Sequence, residues 1–271
     1  MENYLLPEAL LFVDSDRDGA ENMAMDQQML TAAADHQQIL IRIYRWSEPT
    51  LSLGYFQKYE HRNSHPASSN LKTVRRKTGG GAIVHDHDWT YSVAVPNQYL
   101  STRAHELIPV GATTRLYDCV HESVVQMLQT NCELDALQWS PDSQSSGTCT
   151  AKPSDAACSF LCFERRSQGD IVVGSSKVLG SAQRRVRGAV LQHGSLLLAK
   201  SEHAPSLEGI KELAVDGTQL ELSHFAKAVG DAISGLTNTA VQEIDAQSEN
   251  LMKFISSNSD PFSSDTWTQR V

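Results

Sequence analysis

Two side chains in this sequence can do covalent chemistry if the fold brings them together. One is Cys162, in Cys158-Ser159-Phe160-Leu161-Cys162-Phe163. The other is Lys177, in Gly174-Ser175-Ser176-Lys177-Val178-Leu179-Gly180-Ser181-Ala182-Gln183. A thiol attacks as its thiolate, and a neighbouring ammonium favours that form and can polarise a carbonyl. Lys177 stands in a stretch that is otherwise small or apolar, so it is either an exposed edge lysine or a functional one. Cys162, read alone, suits a core filler as well as a nucleophile. The C-x3-C spacing without a second cysteine pair is a weak zinc signal.

Three further clusters could line a site. Arg75-Arg76-Lys77-Thr78-Gly79-Gly80-Gly81-Ala82 places three glycines after a strand-like segment. Glycines let the backbone approach a ligand closely, and successive free N–H groups make an anion- or carbonyl-binding hollow. The bland alternative is a glycine-rich turn beside a basic strand. His85-Asp86-His87-Asp88 invites a metal reading, but no third ligand is evident, and a turn or a pocket wall fits better. Gln192-His193-Gly194-Ser195 puts a histidine and a glycine inside an apolar strand, where glycine marks close backbone approach or a bulge and the histidine suits a satisfied core position.

The elements that must position these residues follow from periodicity. Residues 19–34 carry Met25, Met29 and Ala33 at four-residue spacing and predict a helix. Residues 111–130 repeat the pattern through Leu116, Val120, Val124 and Leu128. Strands are expected at 39–45, at 50–56 with a glycine interruption, near 73–76 and at 89–95. DIVV (170–173), KVLGSAQ (177–183) and AVLQHGSLLL (189–198) predict three neighbouring strands. Residues 140–156, rich in Ser, Pro and Thr, read as a surface loop. From about 205 the pattern reads helical, through Leu220, Leu222, Phe225 and Val229 and then Val241, Ile244, Leu251 and Phe254. Strands in the middle flanked by helices indicate an α+β domain with a mixed or mostly antiparallel sheet. No G-x-G-x-x-G or Walker A motif occurs.

The chain has 271 residues and a formal net charge of −9, from 23 basic and 32 acidic side chains. An acidic chain of this kind argues against nucleic acid as the main ligand. Nothing approaches the ~20 apolar residues of a membrane span. Five cysteines, an odd number without disulfide-framework spacing, and a start without a basic or long apolar stretch suggest a reduced cytoplasmic protein. The expected organisation is one catalytic domain over 1–271, with a core at about 19–200 and a helical C-terminal extension at about 205–271.

Taken in order, RRKTGGGAIVHDHDWTYS, CF, DIVVGSSKVLGSAQRR and LQHGSLLL resemble the lipoate–protein ligase and octanoyltransferase superfamily. DGAENMAMDQQML and RIYRWSEPTLSLGYFQ look like the same family's opening helix and first strands, so the resemblance runs from about 19 to 200. It implies a mixed sheet with helices packed on it, like biotin ligases and class II aminoacyl-tRNA synthetase cores. It also implies that Arg76 and Thr78, Gly79, Gly80, Gly81 and Ala82 line the acyl end of a pocket, with His85 in its wall. Gly180, Ser181 and Ala182 would form the facing strand, with His193 and Gly194 behind it, and Lys177 would contact the acyl carbonyl.

Within the family, ligases make an acyl-adenylate with ATP and Mg, whereas one group of octanoyltransferases uses a cysteine eight residues before the Asp of this strand. Cys162 stands eight residues before Asp170 and is followed by Phe163. Gly81 departs from that group, which often carries arginine there. The resemblance to the cysteine transferases implies no cofactor. It implies octanoyl-acyl carrier protein as donor, and a lipoyl domain or glycine-cleavage H protein as acceptor. Arg75–Lys77 and Arg184–Arg187 are candidate docking charges. A ligase and a non-catalytic acyl-binding relative are the alternatives.

Overall fold

The computed structural model describes residues 9–100, 110–139, 159–215, 219–249, 251, 255 and 261–271. The loop expected at 140–156, which includes Cys149, lies outside them, as do Cys158 and Phe254. Eleven strands are described: β1 (Ala9–Val13), β2 (Ile39–Tyr44), β3 (Thr50–Leu53), β4 (Lys72–Arg75), β5 (Ile83–His85), β6 (Asp88–Pro96), β7 (Leu137–Trp139), β8 (Ile171–Val173), β9 (Ser176–Val186), β10 (Ala189–Leu197) and β11 (Val241–Glu243). The helices are α1 (Gly19–His36), α2 (Asn97–Leu100), α3 (Val110–Asn131), α4 (Ile210–Leu213), α5 (Leu222–Thr237) and α6 (Asp265–Thr268).

Eight strands form one sheet in the order β11-β1-β2-β6-β10-β9-β8-β7, and β4-β3-β5 form a second, small one. The large sheet is mixed. β11, β1 and β2 run parallel, and every pairing from β2 onward is antiparallel. Helices cover both faces. Leu116, Val120 and Val124 of α3 and Phe225 and Val229 of α5 pack on Tyr91, Val93 and Val95 of β6. Met25, Met29, Leu30 and Ala33 of α1 pack on Leu10, Phe12, Leu40 and Leu191 from the other side. The helical spacing in α1 and α3 and the alternation in β6 therefore report their buried faces correctly. Asp18 caps α1, and its carboxylate accepts from the Glu21 N–H while Glu21 reaches back to the Asp18 N–H.

The first part of one expected helical run is a strand, whereas Leu251 of the same run is helical. Val241 and Ile244 do not lie on a helical face: Val241 pairs with Ala9 at the edge of the large sheet, and the Ile244 N–H continues that ladder to the Leu11 carbonyl at 2.9 Å. An i,i+3 apolar pair fits either element, and the unsatisfied edge of β1 decides between them. Among the described residues no helix is long and apolar enough to cross a membrane.

β2 alternates apolar and charged, yet Arg42 is fully buried. Its guanidinium donates to Asp14 Oδ2 (2.9 Å) and Asn22 Oδ1 (2.6 Å), pairs with Asp26, and lies 3.8 Å over the Tyr44 ring. The polar stripe of this strand thus meets a polar stripe of α1 instead of water. For Asp14, burial pushes the carboxyl up, but Arg17 and Arg42 outweigh it and hold it below its ordinary value. A lowered carboxylate contributes stability that is present above its unfolded value and is lost as pH falls through its folded value. Urea midpoints should therefore fall as pH drops below about 4, with a shallower slope in Asp14→Asn. An unchanged slope would show that this pair does not govern the acid limb.

Candidate active site

The glycine loop is built from the inside by arginine. Arg76, nearly fully buried, donates Nη1 to the Ser52 carbonyl (2.8 Å) and Nη2 to the carbonyls of Gly79 (2.9 Å) and Gly81 (2.6 Å). Burial lowers it to about 10, so it stays charged at neutral pH. Arg75 is likewise buried, with Nη1 donating to the carbonyls of Gly54 and Gln57 and Nε to that of Thr268 in α6. Neither is a docking charge, because both are buried and aim donors at backbone carbonyls, with Arg75 Nη2 and Arg76 Nε left unpartnered. Of the two basic stretches, Arg185 and Arg187 are the exposed arginines.

The same loop seats the cysteine. Ala82 N–H donates to the Phe160 carbonyl (3.0 Å), and Cys162 N–H donates to the Ala82 carbonyl (2.7 Å). A Cβ on Gly81 would stand 2.9 Å from Cys162 N, so a glycine there lets the two backbones touch. Any side chain at 81, the arginine of the related group included, requires the cysteine segment to move. Gly80 takes φ of +95° and Gly54 lies under its carbonyl, where a Cβ would be 2.1 Å away.

Cys162 opens a short 3-10 turn, Cys162–Glu164, that packs against β9. Its Sγ is 3.8 Å from Lys177 Nζ. Lys177 and Asp170 are both buried and pair at 2.8 Å. Burial pushes the ammonium down, but the Cys162 and Asp170 charges outweigh it, and Lys177 sits above its ordinary value. It is therefore protonated throughout the neutral range. Burial pushes Asp170 up, against the pull of Lys177. With an ammonium at 2.8 Å and an N–H of Ser167 at 2.7 Å on the same oxygen, we assign Asp170 as a carboxylate. Gly180 makes room for the lysine, since a Cβ there would lie 2.4 Å from Lys177 Cε.

These residues border a cavity of about 480 Å³, counting its open mouth. Arg76, Gly79, Gly80, His85, Cys162, Gly180, Ser181, Ala182, His193 and Gly194 line it, together with Met23, Tyr44, Trp46 and Ile83. Lys177 stands behind this lining and reaches the site through Cys162. Thr78, Gly81 and Ala82, expected in the wall, are not in it. Thr78 turns away to bond His193 Nε2 at 2.6 Å, and Gly81 and Ala82 are covered by the cysteine segment. His193 and Gly194, expected behind the facing strand, are in the wall itself.

His85 stacks on Trp46 at 3.8 Å, and its Nδ1 is 2.9 Å from Asp88 Oδ2. His87 is exposed and turned toward Asp86. Among the described residues no group of three metal-ligating side chains occurs. His193 is held between Thr78 and Asp26 Oδ2, the latter at 2.8 Å from Nδ1. A Cβ on Gly194 would collide with Ser181 Oγ at 2.1 Å and Tyr91 Cε1 at 2.6 Å, whereas one on Gly79 meets nothing within 4 Å. Gly194→Ala should cost about 1–3 kcal/mol in chemical denaturation, and Gly79→Ala should leave the midpoint near wild type. Equal effects would mean that the packing around Gly194 gives way.

Residues that sequence reasoning missed are Asp170, noticed only as a landmark, and Tyr117 and His121 on α3. Their signal was present but faint: a Tyr and a His four apart, flanking the apolar positions Leu116 and Val120.

The lipoyl protein ligase A/B catalytic-domain model matches residues 18–257. The chain belongs to this family. It is 37% identical over 194 residues to octanoyltransferase LipM of Halalkalibacterium halodurans, covering 69% of this chain and 65% of that one. It is 36% identical over 195 residues to octanoyltransferase LipM of Bacillus subtilis, covering 70% and 66%. The match thus spans just under two thirds of these relatives' length. A putative lipoate protein ligase from Thermoplasma acidophilum with bound lipoic acid superposes with a TM-score of 0.67 at 19% identity, over 97% of this chain and 99% of that one. That likeness establishes the mixed-sheet fold shared with the family's lipoate ligases.

Proposed function

We propose that this family member is an octanoyltransferase. It takes the octanoyl group from its thioester on an acyl carrier protein, holds it on Cys162, and passes it to a lysine of a lipoyl domain or glycine-cleavage H protein. One observation carries the reading: a thiol on the cavity wall lies 3.8 Å from a buried, charged lysine. The LipM names of the relatives support it.

In the first half-reaction the Cys162 thiolate, favoured by the Lys177 charge, attacks the thioester carbonyl carbon. Negative charge develops on the carbonyl oxygen, where backbone N–H groups of Gly79 and Gly80 can stabilise it, with the ammonium acting across Sγ. The carbon–sulfur bond to the carrier breaks, and the carrier sulfur takes a proton from Lys177 and leaves as a thiol. In the second, the acceptor lysine amine attacks the acyl carbon and the bond to Sγ breaks. The amine's proton goes to the departing thiolate or to Lys177, so the enzyme returns to its starting state. The reaction consumes no ATP and needs a reduced thiol, which fits a reducing compartment such as the cytoplasm. The exposed Arg185 and Arg187 remain candidates to attract an acidic carrier.

A ligase would instead activate a free acid with ATP and would have no use for a cysteine beside this lysine. Mixing the protein with octanoyl-acyl carrier protein and a lipoyl domain should give octanoyl-lysine without ATP. Transfer only from free acid plus ATP would make it a ligase. On the same assay Gly180→Ala should lose about 10²-fold in kcat, since its methyl group displaces the Lys177 ammonium. Wild-type turnover in that variant would show that the ammonium's position is not critical.

A further inference from the structure

The proposed reaction leaves unused a buried polar cluster where α3 meets the sheet. His121 is fully buried, with Nδ1 2.7 Å from the Gly169 carbonyl and Nε2 2.7 Å from Ser181 Oγ. A carbonyl only accepts, so Nδ1 carries the proton and Nε2 accepts from the serine hydroxyl. Burial pushes the imidazole down to about 3, which keeps it neutral in this tautomer. One turn earlier on α3, the Tyr117 ring lies 4.1 Å from the imidazole, and its hydroxyl donates to Asp170 Oδ1 at 3.4 Å. The Tyr117 ring also covers Gly169, which takes φ of +85° and where a Cβ would be 2.5 Å from Tyr117 Cε1. Asp170 uses its other oxygen to hold the Lys177 ammonium.

We propose that Tyr117 and His121 are positioning residues that clamp the Gly169–Asp170 corner against β9, and so set where Asp170 holds the Lys177 ammonium relative to Cys162. A lysine stem has four rotatable bonds, and Asp170 fixes only its tip. Asp170 itself follows a glycine in the left-handed region, and its own loop holds it through Ser167 alone, whose N–H donates to Oδ2 at 2.7 Å and whose carbonyl accepts from the Asp170 N–H at 3.2 Å. α3 supplies the restraint twice, through the imidazole on the Gly169 carbonyl and through the phenol on the carboxylate. His121 also ties this corner to Ser181 on β9, the strand that bears Lys177. The clamp touches none of the reacting atoms, so its loss should act on thiolate reactivity and turnover and leave donor binding alone. The inference rests on the Cys162–Lys177 reading of the site.

The test is the pH dependence of Cys162 alkylation by iodoacetamide, read by intact-protein and peptide mass spectrometry on the full chain, which needs no acyl donor. His121→Leu should slow alkylation at neutral pH by about tenfold and move its profile to higher pH by about one unit, as a misplaced ammonium no longer favours the thiolate. His121→Asn, whose side-chain amide can donate to the Gly169 carbonyl in place of Nδ1, should recover most of the rate. Tyr117→Phe keeps the ring and should show a smaller shift. In the transfer assay, kcat falls in His121→Leu while KM for the octanoyl donor stays within about twofold. Lys177→Met sets the limit of the effect. If Lys177→Met slows alkylation but a folded His121→Leu, checked by circular dichroism and melting, matches wild type, the clamp is wrong and the site reading stands. If Lys177→Met itself alkylates like wild type, both are wrong. A His121→Asn as slow as His121→Leu also overturns the clamp, because the bond to Gly169 then does not matter.

Discussion

Cys162→Ala abolishes octanoyl transfer, with an expected loss in kcat of about 10⁴-fold or more, while leaving the fold intact. The size follows from the role. A nucleophile that carries the acyl group through a covalent intermediate has no substitute when its sulfur is removed, because the two half-reactions then have nothing in common. Stability is spared because the side chain is only half-buried, and its polar partner Lys177 keeps Asp170 when the sulfur is gone. Cys162→Ser should be nearly as inactive, since an ammonium that favours a thiolate cannot ionise a hydroxyl to a useful extent. The measurement is transfer to a lipoyl domain together with thermal melting. Activity within tenfold of wild type in Cys162→Ala would remove the cysteine from the mechanism.

Lys177→Met is expected to lose about 10²–10³-fold in kcat, the usual cost of removing one preorganised group that stabilises developing negative charge. It should also destabilise the protein, for a different reason. Asp170 is buried, and without Lys177 its charge is uncompensated, at a cost of about 3–5 kcal/mol until it takes up a proton. The two effects separate in Lys177→Met/Asp170→Asn. That variant should regain much of the stability, since the carboxylate is gone, and none of the activity. Urea denaturation and steady-state transfer on the same three proteins make the comparison. If activity returns with stability, the lysine is structural.

Much of the fold was legible in the residues. α1, α3 and β6 each carry a period that matches the face they bury, as the packing of Val93 or Met29 shows directly, and β8, β9 and β10 stand where DIVV, KVLGSAQ and AVLQHGSLLL predict strands. Neither β7 nor β11 was legible, because three residues cannot display a period and an open strand edge is invisible in sequence. The site was legible through residue types with no other good use: three consecutive glycines, a lysine among small residues, a cysteine before an aromatic. What the chain could not display was direction. Thr78 reads as a loop hydroxyl facing a ligand, yet it faces His193. Arg75 and Arg76 read as surface charge, yet each bonds several backbone carbonyls. Arg42 reads as the wet side of a strand and is among the most buried side chains. In each case the deciding partner comes from a distant part of the chain, and no local pattern encodes it.

The most direct test of the account is the mass of the protein after mixing it with octanoyl-loaded acyl carrier protein, with neither ATP nor acceptor present. A gain of one octanoyl group on Cys162, released by hydroxylamine and absent from Cys162→Ala, is expected. No adduct, together with acylation of a lipoyl domain only when free acid and ATP are supplied, would contradict it and leave Cys162 as a packing residue beside a ligase site.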